Sequence, residues 1–134
     1  IPFNRKLKGH SDADVGFHAI TDAILGSISK GDIGEHFPPS NNKWRNKDSK
    51  FFLLHAYKIL QNEGFVINNI DITLICEKPK INKHREKIKK NISNILKINI
   101  DIINIKATTT ERLGFLGREE GIACQAITTV ARYE

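Results

Sequence analysis

Apolar residues recur at helical spacing in three stretches of the chain and alternate with polar ones in three others. Val15, Phe17, Ile20 and Ile24 fall on one side of a helix. Ser11 stands before them as an N-cap with Asp14 at the capping-box position, so this helix is predicted to start near Asp12 and to fade between Gly26 and Gly31. Phe52, Leu53, Ala56, Tyr57 and Leu60 mark a second helix, capped by Asp48 or Ser49 and stopped at Gly64. Residues 82–97 read as a basic amphipathic helix with Ile88, Ile92, Ile95 and Leu96 inward. In residues 69–78, Ile70, Ile72, Leu74 and Cys76 alternate with Asp71, Thr73, Ile75 and Glu77, which is strand spacing. Residues 101–110 and 121–133 give two further strands. The glycines, paired prolines and asparagines of residues 31–49 read as one long loop, and loops of that length are often functional. Helices and strands are mixed without strict β-α-β repetition, which predicts an α+β domain.

Length and charge narrow this only a little. A chain of 134 residues is one domain with room for a core. It has no apolar run near the ~18 residues of a membrane span and no visible signal peptide. It begins at Ile1 and contains no methionine, so the expectation is that the native start, with any targeting segment, is missing. The net charge of +6 fits an anionic partner. It fits a solvated face equally well, because Lys, Asn and Ile are over-used together in residues 81–106, as AT-rich codons would supply them. Cys76 and Cys124 flank no His or Cys cluster, which excludes a zinc ribbon and a CxxC pair. They read as reduced, partly buried thiols.

The candidate chemistry is concentrated in four short segments. Asp14, His18 and Asp22 are spaced four apart and share a helix face. Such a histidine is either a metal ligand oriented by carboxylates or one member of a solvated ion-pair row, and one histidine does not hold a metal alone. His10 and Ser11 sit at the helix start, where orphan N–H groups favour an anion or a simple cap. "KATTTERLGFLGREEG" (106–121) carries three threonines, then Glu111, Gly114, Gly117 and Arg118. It suits phosphate oxygens, or is only a polar turn; it is not a P-loop. "CEKPK" (76–80) ends a strand, where backbone groups read a base edge or simply turn.

Taken together, "HSDADVGFHAITDAILG", "GDIGEHFPPS", "DITLICEKPK" and "IKATTTERLGFLGREEGIAC" resemble, in this order and spacing, the 2-C-methyl-D-erythritol 2,4-cyclodiphosphate synthase family of the non-mevalonate isoprenoid pathway. The resemblance spans the whole chain as one domain, residues 1–134, lacking the family's N-terminal strand. It implies a CMP-releasing phosphorus–oxygen lyase. In that reaction the 2-phosphate of 4-diphosphocytidyl-2-C-methyl-D-erythritol 2-phosphate attacks the β-phosphorus of the same molecule. It also implies a two-layer sandwich, a mixed four-stranded sheet with three helices on one face, and a homotrimer packing its sheets around a three-fold axis. Residue by residue, it makes His18 a ligand of a zinc-type ion and Glu111 a ligand of Mg²⁺ or Mn²⁺. His10 and Thr109 become catalytic groups that stabilise transition-state charge. Ser11 and Thr108 would hold phosphates, and Asp32 and Gly34 the erythritol hydroxyls, supported by Phe37 to Asn41. Cys76, Lys80, Ile81 and Asn82 would cradle the cytidine end. Phe115 and Arg118 would stand near the trimer axis, where a cavity can hold an isoprenoid diphosphate.

The family's other two zinc ligands come from an Asp-x-His pair that occurs nowhere in these residues, so the zinc site is expected to be incomplete here. Pro39 and Asn41 replace aspartates common in the family loop. Two other readings compete. A nucleic-acid module would use the basic helix 82–97, but no aromatic residue lies between Phe65 and Phe115 for base stacking. A metal-dependent phosphohydrolase would release inorganic phosphate. Neither accounts for all four segments, so no nucleic acid and no membrane is expected as a partner. The codon bias points to a plastid-derived organelle of a eukaryotic parasite, with a bacterial cytoplasm as the alternative.

Overall fold

The computed structural model describes residues 12–38, 40, 43, 47–75, 84–109, 111–114 and 123–133, with side chains from residue 15 onward. Four helices and three strands occur in the order α1 (Asp12–Ser27), α2 (Ile33–His36), α3 (Ser49–Asn62), β1 (Phe65–Ile75), α4 (Arg85–Leu96), β2 (Ile103–Thr108) and β3 (Ala123–Arg132). The sheet order is β2-β1-β3, with β1 parallel to β2 and antiparallel to β3. This is the mixed sheet of an α+β domain, with three strands among the described residues where four are expected. Only three segments of the sequence alternate over strand length, and residues 1–11 lie outside the described set.

The three long helices cover one face. Their inward residues are the ones the periodicity picks out: Phe17, Ile20 and Ile24 from α1, Leu53, Ala56 and Leu60 from α3, Ile92 and Leu96 from α4. They close over Ile70, Ile72 and Leu74 of β1 and Ile103 and Ile105 of β2. Caps follow the sequence too. Asp48 Oδ1 accepts from Lys50 N at 2.9 Å to start α3, and Gly64 at φ 85° ends it in a left-handed turn that glycine adopts without strain. The Ser11 cap lies outside the described residues. Helix α4 ends on Lys97, also left-handed, where Ser93 Oγ donates to Ile98 O at 2.6 Å.

Three expectations are corrected. Strand β1 begins at Phe65, not at 69, because a bulge between Ile67 and Asn69 interrupts the alternation and hides the first turn of the strand. Ile102 is not a sheet residue: it closes a 3-10 turn at Ile100–Ile102, its N donating to Asn99 O at 3.2 Å. The loop 31–49 contains α2, four residues that are too short to show a period.

The face away from the helices is more polar than the strand pattern implies. Across it run Asn104, Asp71 and Ile127 in one row and Lys106, Thr73 and Gln125 in the next. Lys106 Nζ and Asn104 Nδ2 donate to Asp71 at 2.8 and 2.9 Å and hold its carboxyl below the usual range. Being exposed, this pair adds little to stability. Ile127, 66% exposed, stands beside it.

On the covered face, Thr128 sits in the row Ile103–Ile70–Thr128, and its buried Oγ1 has no hydrogen-bond partner among the described residues. A buried hydroxyl left unpaired is costly, and valine has the same shape. Thr128→Val is expected to stabilise the fold by about 1 kcal/mol, or about 3 °C in Tm. Thermal unfolding checks this; a fall in Tm would mean that the hydroxyl has a partner in solution.

Candidate functional site

Two groups of predicted site residues are described, on different elements. The first lies where α1, α2 and α3 meet. His18 is half-buried on α1, with its ring edge-on to Phe52 of α3 at 6.5 Å between centroids. One turn further along, Asp22 Oδ1 accepts from Ile33 N at 2.9 Å, so α1 clasps the first residue of α2. Asp32 then caps α2, its Oδ1 accepting from Glu35 N at 3.0 Å. Gly34 is exposed in the middle of this short helix. His36 Nε2 lies 2.6 Å from Lys30 O, which ties the end of α2 back to the residue before the clasp. Between them, Gly31 has φ 84°, and a side chain there would collide with the Glu35 carboxylate.

Phe37, assigned with its loop to support the substrate, is a buried residue. It is only 6% exposed and packs on Phe52, Phe51 and His55, with centroids 4.6 to 6.1 Å apart. Its side chain anchors the end of α2 in an aromatic cluster. Burial, with His36 and Lys58 nearby, lowers the pKa of His55 and favours the neutral ring.

The second group leaves the sheet at the end of β2. Thr108 is its last residue, and Thr109 follows, both exposed. Thr109 Oγ1 accepts from Glu111 N at 3.2 Å. Glu111 and Arg112 both adopt left-handed backbone, at φ 55° and 66°. Such residues cost about 1 kcal/mol or more each, and strain of this kind collects at functional sites.

Register places the end of β1 beside this one. Ile75, the last residue of β1, pairs with Thr108, the last of β2, in the parallel ladder. Ile75 and Thr108 therefore end their parallel strands side by side, at the carboxyl ends, where ligands of α/β sheets gather. Cys76, Lys80, Ile81 and Asn82 themselves lie outside the described residues, as do His10, Ser11, Asn41, Phe115 and Arg118. Helix α1 packs over β3 while α4 packs over β2, with β1 between them, so α1, which carries His18, lies toward the β3 edge of the sheet and the Thr109 turn follows the strand at the opposite edge.

The donor sets differ in what they fit. His18 is one nitrogen ligand, and the described residues contain no group of three His, Cys, Asp or Glu placed to hold a metal. A catalytic zinc site takes three protein ligands, of which the described residues place His18 as one candidate. Glu111 is an exposed carboxylate next to threonine hydroxyls, a hard-oxygen set of the kind Mg²⁺ uses with one or two carboxylates and a substrate's phosphates. Among the described residues, no helix is long and apolar enough to cross a membrane. The residue that sequence reasoning underused is Asp22. Its spacing from His18 gave a signal, but its partner, the amide of Ile33, could not be read from spacing.

Comparison with known proteins agrees with the motif reading. The chain is 57% identical over 130 residues to the bifunctional enzyme IspD/IspF of Bartonella quintana, covering 97% of this chain and 33% of that protein. It spans about a third of the length of such bifunctional relatives. It is 54% identical over 127 residues to the 2-C-methyl-D-erythritol 2,4-cyclodiphosphate synthase of Ehrlichia canis, covering 95% of this chain and 73% of that one. A solved structure of IspF from Plasmodium falciparum in complex with CDP superposes with a TM-score of 0.83 at 36% identity, over 94% of this chain and 76% of that one. The model of the YgbB family matches residues 1–131, and with these relatives it establishes that the chain belongs to the YgbB family.

Proposed function

We propose that this chain carries the cyclodiphosphate synthase activity named for its Ehrlichia relative. A 2-phosphate oxygen of 4-diphosphocytidyl-2-C-methyl-D-erythritol 2-phosphate forms a bond to the β-phosphorus, the β-phosphorus–oxygen bond to CMP breaks, and CMP leaves with that oxygen. The observation that carries the reading is the pairing of Ile75 with Thr108, which ends β1 and β2 side by side, next in the chain to the residues assigned to the cytidine and the diphosphate. Thr109 donates its hydroxyl to a diphosphate oxygen, and Thr108 holds the neighbouring one. His10 and Ser11 receive the phosphate, Lys80 and its neighbours the nucleotide. Asp32 and the backbone at Gly34 hold the polyol hydroxyls. Such transfers depend on positioning and charge more than on a covalent intermediate. Glu111 offers an oxygen ligand to a divalent ion, and a bound ion supplies charge neutralisation at the diphosphate. His18 is the one ligand these residues offer to a zinc-type ion, and no step is assigned to it.

The separation of the His18 corner from the Thr109 turn supports a homotrimer with sites shared between neighbours. So does Ile127, exposed on a face that no helix among the described residues covers. An isoprenoid diphosphate at Phe115 and Arg118 on the trimer axis belongs to the same reading. The high identity to bacterial proteins, beside 36% to the Plasmodium structure, favours a bacterial cytoplasm over a plastid-derived organelle, and the upstream coding sequence decides between them.

The test is product analysis on the full-length protein. Release of CMP with a cyclic product carrying two coupled phosphorus signals is expected. Inorganic phosphate instead would favour a phosphohydrolase, and salt-dependent binding of single strands without turnover would favour a nucleic-acid module.

A further inference from the structure

Nothing in the reaction itself assigns a role to Asp22, yet the geometry gives it one. Its carboxylate is exposed, which would ordinarily leave it to water. Instead its Oδ1 takes the amide of Ile33, eleven residues away, at 2.9 Å. Ile33 opens the four-residue helix whose cap is Asp32 and whose second residue is Gly34. A helix this short has no stability of its own and is held only by what ties it down. Three ties are visible: Asp22 at its first residue, His36 Nε2 on Lys30 O, and Phe37 packed on Phe52 after its last. The first and the last lead back to His18, which sits one turn before Asp22 on α1 and edge-on to Phe52.

We propose that Asp22 is a positioning residue, a charged clasp that fixes the Asp32–Gly34 segment relative to His18. This rests on the proposed function for the role of Asp32 and Gly34, but the clasp itself does not. With the clasp made, Asp32 is committed as a cap with one carboxylate oxygen on Glu35 N, and its other oxygen is held at one orientation. Without it, the start of α2 loses its link to α1 and the segment from Gly31 to Gly34 is held only through His36 at Lys30 O and the Phe37 anchor. A shift of about 1 Å in a substrate-positioning segment is enough to cost catalysis heavily. Thr109 follows β2, at the opposite edge of the sheet from the β3 that α1 covers, so CMP affinity is expected to be unaffected by this change.

The experiment compares Asp22→Ala with Asp22→Asn in the full-length protein. Asparagine keeps an oxygen that accepts the same amide; alanine does not. For Asp22→Ala, kcat/KM is expected to fall about tenfold, as a partial loss of positioning, with CMP affinity unchanged and faster hydrogen exchange at the Ile33 amide. Asp22→Asn is expected to stay within about threefold of the parent in kcat/KM and to keep Ile33 protected. A role confined to stability would lower Tm without separating substrate turnover from CMP binding. Parent-like kcat/KM in Asp22→Ala, or equal damage in Asp22→Asn with Ile33 still protected, would overturn the clasp. If the parent protein has no cyclase activity, the proposed function fails, and exchange at Ile33 decides the clasp alone: unchanged protection in Asp22→Ala overturns it.

Discussion

His18→Ala and Thr109→Ala, each in the full-length protein, are expected to lose nearly all cyclase activity as pure trimers and to recover about a quarter of it when refolded together in equal amounts. The losses come from different chemistry. Thr109→Ala removes a hydroxyl proposed to donate to a diphosphate oxygen, and it also removes the acceptor for Glu111 N, which leaves the strained turn at Glu111 and Arg112 without its local anchor. Removing one preorganised donor of this kind costs on the order of 10²–10³ in kcat. His18→Ala removes the nitrogen that α1 carries toward the opposite edge of the sheet. In a ring with shared sites, an intact His18 half from one variant meets an intact Thr109 half from the other at one of the three sites of each mixed trimer. Random mixing makes about three-quarters of the trimers mixed, which gives about a quarter of parental activity. Zero recovery with subunit exchange demonstrated by mass would place both halves within one chain and remove the main support for a shared site.

Glu111→Gln is expected to lower kcat on the order of 10²-fold while CMP affinity stays within about twofold of the parent. The substitution keeps the size of the side chain and removes only its charge. Glutamine accepts the left-handed backbone at φ 55° no worse than glutamate does, so the fold is not at issue. A group that acts on charge developing in the transition state shows its loss in kcat, whereas one that merely binds the ground state shows it in KM. A raised KM with kcat unchanged would contradict the assignment. Glu111→Gly separates strain from chemistry. Glycine adopts this backbone freely, so this variant is expected to be more stable by about 1 kcal/mol and equally inactive. Stability that falls instead would show that the backbone at 111 is not strained in solution.

The sheet gives a different kind of lesson from the helices. The inner faces of α1, α3 and α4 were legible because a helix repeats its buried side every three or four residues, and Phe17, Ile20, Ile24, Leu53, Leu60, Ile92 and Leu96 keep that beat. The caps at Asp48 and Gly64 were legible because they answer to local backbone needs. The first residues of β1 were not, because the bulge after Ile67 shifts the alternation by one. Helix α2 was not, because four residues carry no period and its first residue donates its hydrogen bond to Asp22 on another element.

The sequence by itself determined the three helical stripes, the alternation of the strands, and the four motif segments that carry the family resemblance. All of these are written in residues close together in the chain, where spacing alone dictates which side chains share a face. Only the tertiary structure decided that Phe37 is a buried anchor, that Asp22 reaches Ile33, and that Ile75 and Thr108 end their strands side by side. The reason is physical. Each of these depends on a partner brought near by packing rather than by sequence distance, and the parallel pairing of β1 with β2 exists only because the chain crosses over through α4 before it returns to the sheet.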